Sequence, residues 1–199
     1  PLTTKKIDKD HVGKNGIGMA PYMISVSLMV VALSTNVIFA KSLTGRKFTS
    51  RFDWAKNKLL INGIITTMAA IALYIAIRFV GVEPNHPLAT FGMILLVAWT
   101  LMALVTALVG WDDRYGAFAS MILLLLQLGA SAGTYPIELS PKFFKIIQPF
   151  LPMSYSVSGL RQTISMTGQI SDQVRMLFIF LLIFVVVGII IYRPKYENE

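Results

Sequence analysis

Five apolar stretches dominate this chain, at residues 19–40, 59–80, 88–110, 117–133 and 176–192. A bilayer core of about 30 Å takes about 20 helical residues to cross, so each stretch reads as a membrane-spanning helix, the last two being the shortest. Only Arg78 is charged within these limits, at a position from which it can snorkel to an interface. A soluble helical bundle would need polar faces that the spans lack. The whole chain is 55% hydrophobic and 14% charged, with a mean hydropathy of +0.65. Backbone polar groups in hydrocarbon must be satisfied internally, which leaves an all-α membrane protein as the expected fold class.

Residues 133–161, GTYPIELSPKFFKIIQPFLPMSYSVSGLR in context, separate the fourth and fifth stretches and fit neither category of segment. Pro136, Pro141, Pro149 and Pro152 break it, yet each piece is rich in aromatic and aliphatic residues. A spanning helix would not carry so many breakers, nor an aqueous connector so much apolar surface. Ser140-Pro141 makes a helix start, with Ser as cap and Pro at the first position. Phe143, Phe144, Ile146, Ile147 and Phe150 then cover one side while Lys142 and Lys145 reach the interface. A second piece after Pro152 carries Tyr155, Val157 and Leu160 and ends near Gly159 and Arg161. The expected form is a re-entrant or interfacial helical hairpin over 134–165, packed on the span bundle. It is read either as a lid on the bundle's mouth or, functionally, as an outer gate or a landing surface for an external partner. The candidate gate residues are Pro136, the Glu138-Leu139 pair, Phe143, Phe144, Pro149, Phe150, Pro152, Tyr155 and Arg161.

Lys and Arg beside spans mark the cytoplasmic side. The connector 41–58 carries Lys41, Arg46, Lys47, Arg51, Lys56 and Lys58 against Asp53 alone, whereas the connector 81–87 has neither Lys nor Arg. The basic connector and the tail 193–199 are therefore expected inside, and residues 1–18 and the hairpin outside. Lys5, Lys6, Lys9 and Lys14 argue mildly the other way, which a preceding external domain would explain. Phe48, Phe52 and Trp54 suggest a short interfacial helix in the basic connector. It reads as a topology-setting loop resting on anionic lipid or, more sharply, as a docking element through Arg46, Lys47, Arg51 and Trp54. The chain begins at Pro1 without a signal-peptide pattern and is expected to be the C-terminal part of a longer protein.

Little in the sequence points to reaction chemistry. Cys is absent, and His11 and His86 stand in no metal-ligand spacing. No GxxxxGK[ST] loop is present, and the glycines of HVGKNGIG lead into a span rather than joining a strand to a helix. Neither an enzyme nor a cofactor, metal or nucleic-acid binder is expected. Asn36, Asn62 and Gln127 are the notable polar residues within spans, and interhelical hydrogen bonding accounts for them more simply than substrate contact. Gly129 and Gly133 form a GxxxG expected to serve helix packing.

SAGTYPIELSPKFFKIIQPFLPMSYSVSGLR and the lead-in NGIGMAPYMISVSLMV resemble the YhgE/Pip (phage infection protein) family of Gram-positive bacteria, over essentially the whole chain. Ala132 stands where that pattern has a second Gly. The resemblance implies an ABC-2-type permease-like membrane domain: one span and a large external domain, then the five spans seen in this chain. It also implies a multi-pass protein of the bacterial cell membrane that anchors an extracellular domain used in phage adsorption or passage of phage DNA. The partners so implied are membrane lipids, the protein's own first span and ectodomain, a bacteriophage, an ATPase subunit and a second copy in a homodimer. Export with a separate ATPase, or an accessory role in type VII secretion, are the alternatives. A scaffold that only holds and dimerises the ectodomain is a third.

Overall fold

A computed structural model describes residues 15–39, 50–131, 133 and 139–192. These residues form helices and no strands. The helices are α1 (Asn15–Ile38), α2 (Arg51–Phe79), α3 (Pro87–Trp111), α4 (Asp113–Ala130), α5 (Lys142–Ile147), α6 (Pro152–Ser165) and α7 (Ser171–Ile191). A 3₁₀ turn, Gln148–Phe150, joins α5 to α6.

Among the described residues α1, α2, α3 and α7 are long and apolar enough to cross a membrane. The fifth expected span does not join them on that measure. Its helix, α4, has 18 residues, and these include Asp113, Arg114 and Gln127.

α3 is the hub, flanked by α1, α2, α4, α6 and α7. Met93, Ile94, Val97, Leu101 and Val105 recur along it at helical spacing and are completely or almost completely buried. α7 lies on the outside, with Phe178, Leu182, Val186 and Ile190 exposed. An apolar surface of this kind is stable only when lipid or another apolar partner covers it. Two small residues bring α7 onto the hub: a Cβ at Gly188 would sit 3.2 Å from that of Ala107. Thr100 Oγ1 also donates to the carbonyls of Leu96 (2.8 Å) and Leu177 (3.3 Å).

Several boundaries differ from the sequence expectation for identifiable reasons. α2 begins at Arg51, so residues 51–58 form its first two turns rather than a separate interfacial helix. Ser50 caps it by accepting from Asp53 N at 3.1 Å, and no Pro or Gly interrupts the run into the span. Ser140 makes no cap; Pro141 takes the N-cap position of α5 without a side-chain bond. α6 runs on to Ser165 instead of ending near Gly159, because Gly159 serves as a notch: a Cβ there would meet Met93 Cε at 2.2 Å. α4 stops at Ala130, which leaves Gly133 beyond the helix.

Candidate functional site

Two regions collect the functional candidates, one at each end of the bundle. At the first end lie the N-terminus of α2, the α3–α4 corner and the C-terminus of α7. Trp54 is 5% exposed and stacks on Tyr192, with ring centroids 4.4 Å apart. Gly110 makes room for the indole, since a Cβ there would come within 2.7 Å of it. Trp54 is thus an anchor and not a contact surface, whereas Arg51 and Phe52 beside it are exposed. Arg46 and Lys47 lie outside the described residues.

Immediately inward, a polar seam ties α1, α2 and α3 together. Asn62 Nδ2 donates to Asn36 Oδ1 (3.3 Å) and Thr106 Oγ1 (2.8 Å), and Asn36 Nδ2 donates to the Ala32 carbonyl (2.9 Å). Both asparagines are buried, as interhelical hydrogen bonding requires. One turn toward the helix start, buried Lys58 extends its ammonium to the Phe39 carbonyl.

The outer wall of this seam is a cavity of about 450 Å³ between α2, α3 and α7. Its lining includes Leu59, Trp99, Met102, Ala103, Phe184 and Val185, with Lys56, Lys58, Asn62 and Thr106 as the polar contributors. Sequence reasoning missed Trp99, Thr106 and Gly188. An aromatic, a hydroxyl and a glycine inside apolar spans were the available signal, but nothing in their spacing shows that they meet.

At the other end the prolines act as expected of breakers. Pro149 sits in the 3₁₀ turn, and Pro152 opens α6 at a position where a missing N–H costs nothing. Most of α5 is exposed, including Phe143 (56%), as is Phe150 (74%) of the 3₁₀ turn, while Phe144 reaches back to α4 at Gly129. α6 is the opposite: Met153, Ser156, Val157, Leu160 and Thr163 are almost fully buried against α1, α3 and α7. Ser25 and Ser156 share a hydrogen bond between α1 and α6. Tyr155 of α6 donates its hydroxyl to the Pro149 carbonyl in the 3₁₀ turn at 3.1 Å. Arg161 is half-buried, Leu139 is exposed, and Pro136 and Glu138 lie outside the described residues. Gly129 and Gly133 face different neighbours, Phe144 of α5 and Tyr22 of α1, and so do not make one shared packing face.

Gln127 holds this end together. No side chain of its own caps α6, but buried Gln127 of α4 accepts from Met153 N at 3.1 Å. Replacing Gln127 with Leu strands that buried N–H and is expected to lower stability by about 1–3 kcal/mol. Amide hydrogen exchange at Met153 is the direct measure; protection equal to wild type would contradict the capping role.

A model of the ABC-2 family transporter proteins matches residues 4–192. Over 169 residues the chain is 32% identical to the uncharacterized protein YhgE of Bacillus subtilis (strain 168), an overlap covering 83% of this chain and 21% of that protein. The chain therefore spans about a fifth of the length of that relative. No solved structure matches it. With the family match running through all seven helices and this relative aligned over most of the chain, the chain belongs to the ABC-2 family of transporter proteins and forms a YhgE/Pip-like membrane domain.

Proposed function

We propose that this chain is the permease part of an ABC-2-type exporter and works with a separate ATPase on the side of the basic connector 41–58. One observation carries the reading: Trp54, clasped between Gly110 and Tyr192, fixes the start of α2 and leaves Arg51 and Phe52 exposed beside the α3–α4 corner. A rigidly held element at the end of a bundle suits the reception of force from a soluble partner. In this reading α4 crosses as a fifth span. Its 18 residues rise about 27 Å, it turns back along α3, and it exposes Phe118, Met121, Ile122 and Leu125. Five crossings put the connector 41–58 and the C-terminus inside the cell. Residues 1–18 and the α5–α6 hairpin are then outside, with α6 as the outer gate.

A pull-down of the full-length protein in mild detergent is expected to recover a nucleotide-binding subunit. Neutralising Arg46, Lys47 and Arg51 to Gln removes rim charges worth about 0.5 kcal/mol each, a combined loss of about tenfold in affinity. Unchanged recovery from the triple variant would overturn docking at this end.

The length of YhgE beyond the matched region favours a second reading. There the spans anchor, and as a homodimer hold together, an extracellular domain used in phage adsorption or passage of phage DNA, or one serving type VII secretion. Repeated isolation of the folded protein with no ATPase would favour this anchor over the exporter.

A further inference from the structure

We infer that the cavity between α2, α3 and α7 is a binding site for one acyl chain of an anionic phospholipid, with the headgroup phosphate held at Lys56. The cavity's size, about 450 Å³, falls within the ordinary range for small-molecule sites. Its wall is almost wholly apolar, so water entering it would find few partners. Left empty, it would forfeit the dispersion contacts that hold a packed interior together. α2 and α7 each pack along α3 but make little contact with one another, so the space between them faces sideways, toward the membrane. Residues on its two walls, Leu59 on α2 and Val185 on α7, are themselves exposed at 61% and 42%. A hydrocarbon chain entering from the bilayer would extend the apolar surface already there.

The charge at one end of the cavity selects the headgroup. Lys56 is exposed on the wall nearest the start of α2, one turn beyond Phe52, which also lines the cavity. Lys58 lines it too but spends its ammonium on the Phe39 carbonyl, which leaves Lys56 as the phosphate contact. Arg51, Lys56, Lys58 and Arg114 outnumber Asp53, Asp112 and Asp113 here, so this end is net positive, as attraction to an anionic leaflet requires. The site stands apart from the α6 hairpin and does not depend on transport, so the fate of the ATPase experiment leaves it untouched.

The test places the full-length protein in nanodiscs of equal phosphatidylglycerol and phosphatidylcholine and counts retained lipids by native mass spectrometry. One lysine near the surface is worth about 1 kcal/mol to an anionic lipid, so phosphatidylglycerol is expected to be retained about fivefold over phosphatidylcholine. Ala103→Phe fills the cavity and displaces at least two methylenes, which is expected to lower retention about tenfold. Ala55→Phe intrudes from the α2 wall and reads the same volume should the first variant fail to fold. Lys56→Gln is expected to abolish the preference while leaving a lipid bound. Equal retention of the two lipids by the unaltered protein overturns the headgroup assignment, and retention unaffected by cavity filling overturns the site.

Discussion

Trp54→Ala is expected to destabilise the protein by about 3–5 kcal/mol, the range for truncating a buried aromatic. Three elements lose their contact at once, because the indole fills the notch at Gly110 and covers the ring of Tyr192. Trp54→Phe keeps a ring in the same place and is expected to retain most of the stability. The contact can be isolated by a double-mutant cycle with Gly110→Ala, whose new methyl would come 2.7 Å from the indole. That substitution should cost stability in the unaltered protein and little in the Trp54→Ala background. Unfolding in a mild detergent is the measurement, and additive effects would show that Trp54 and Gly110 do not share one packed contact.

Gly116→Ala is expected to cost at least about 3 kcal/mol, beyond the usual cost of overpacking. A Cβ at Gly116 would lie 2.0 Å from the Leu108 carbonyl oxygen and 2.8 Å from Val109 Cα. Both are backbone atoms in α3, so no rotamer change relieves the clash, and α4 has to swing away from its neighbour. The corner offers little slack, because Asp112 accepts from the backbone N–H groups of Arg114 (2.9 Å) and Tyr115 (2.8 Å). Gly92→Ala is the matched control, since a methyl there would have no neighbour within 4 Å and alanine suits a helix better. It is expected to be neutral or to stabilise by up to about 1 kcal/mol. Equal melting shifts for the two substitutions would contradict the close α3–α4 approach.

Much of the architecture was legible in the residue pattern because hydrophobicity over about 20 residues is a strong constraint in a bilayer. The four spans and the chain breaks at Pro149 and Pro152 could be located from that rule and from the backbone chemistry of proline alone. Helix starts were harder to read. The first turns of α2 and α7 contain Lys, Arg, Asp and Gln, which helices tolerate well but which hydropathy treats as connector. Trp54 illustrates the limit for sites. Beside lysines it reads as an interfacial aromatic, and only the placement of Gly110, more than fifty residues later, makes it an anchor. The Asn36–Asn62–Thr106 seam and the cavity beside it have the same character. Each depends on the rotation of three helices about their axes, which similar hydrophobicity on every face leaves undetermined.

The two ends of α6 are moored to different elements. Gln127 of α4 holds its first turn, while the Thr163 and Ile164 carbonyls near its last turn accept from His86 N and Asn85 N in the α2–α3 turn, each at 3.0 Å. A helix stretches very little before its own hydrogen bonds break, so α6 behaves as a strut of fixed length between these moorings. If α4 and the α2–α3 turn move apart, one mooring has to let go. The Gln127 end, with a single side-chain bond against two backbone bonds, is the weaker of the two, so it is the mooring that would release first.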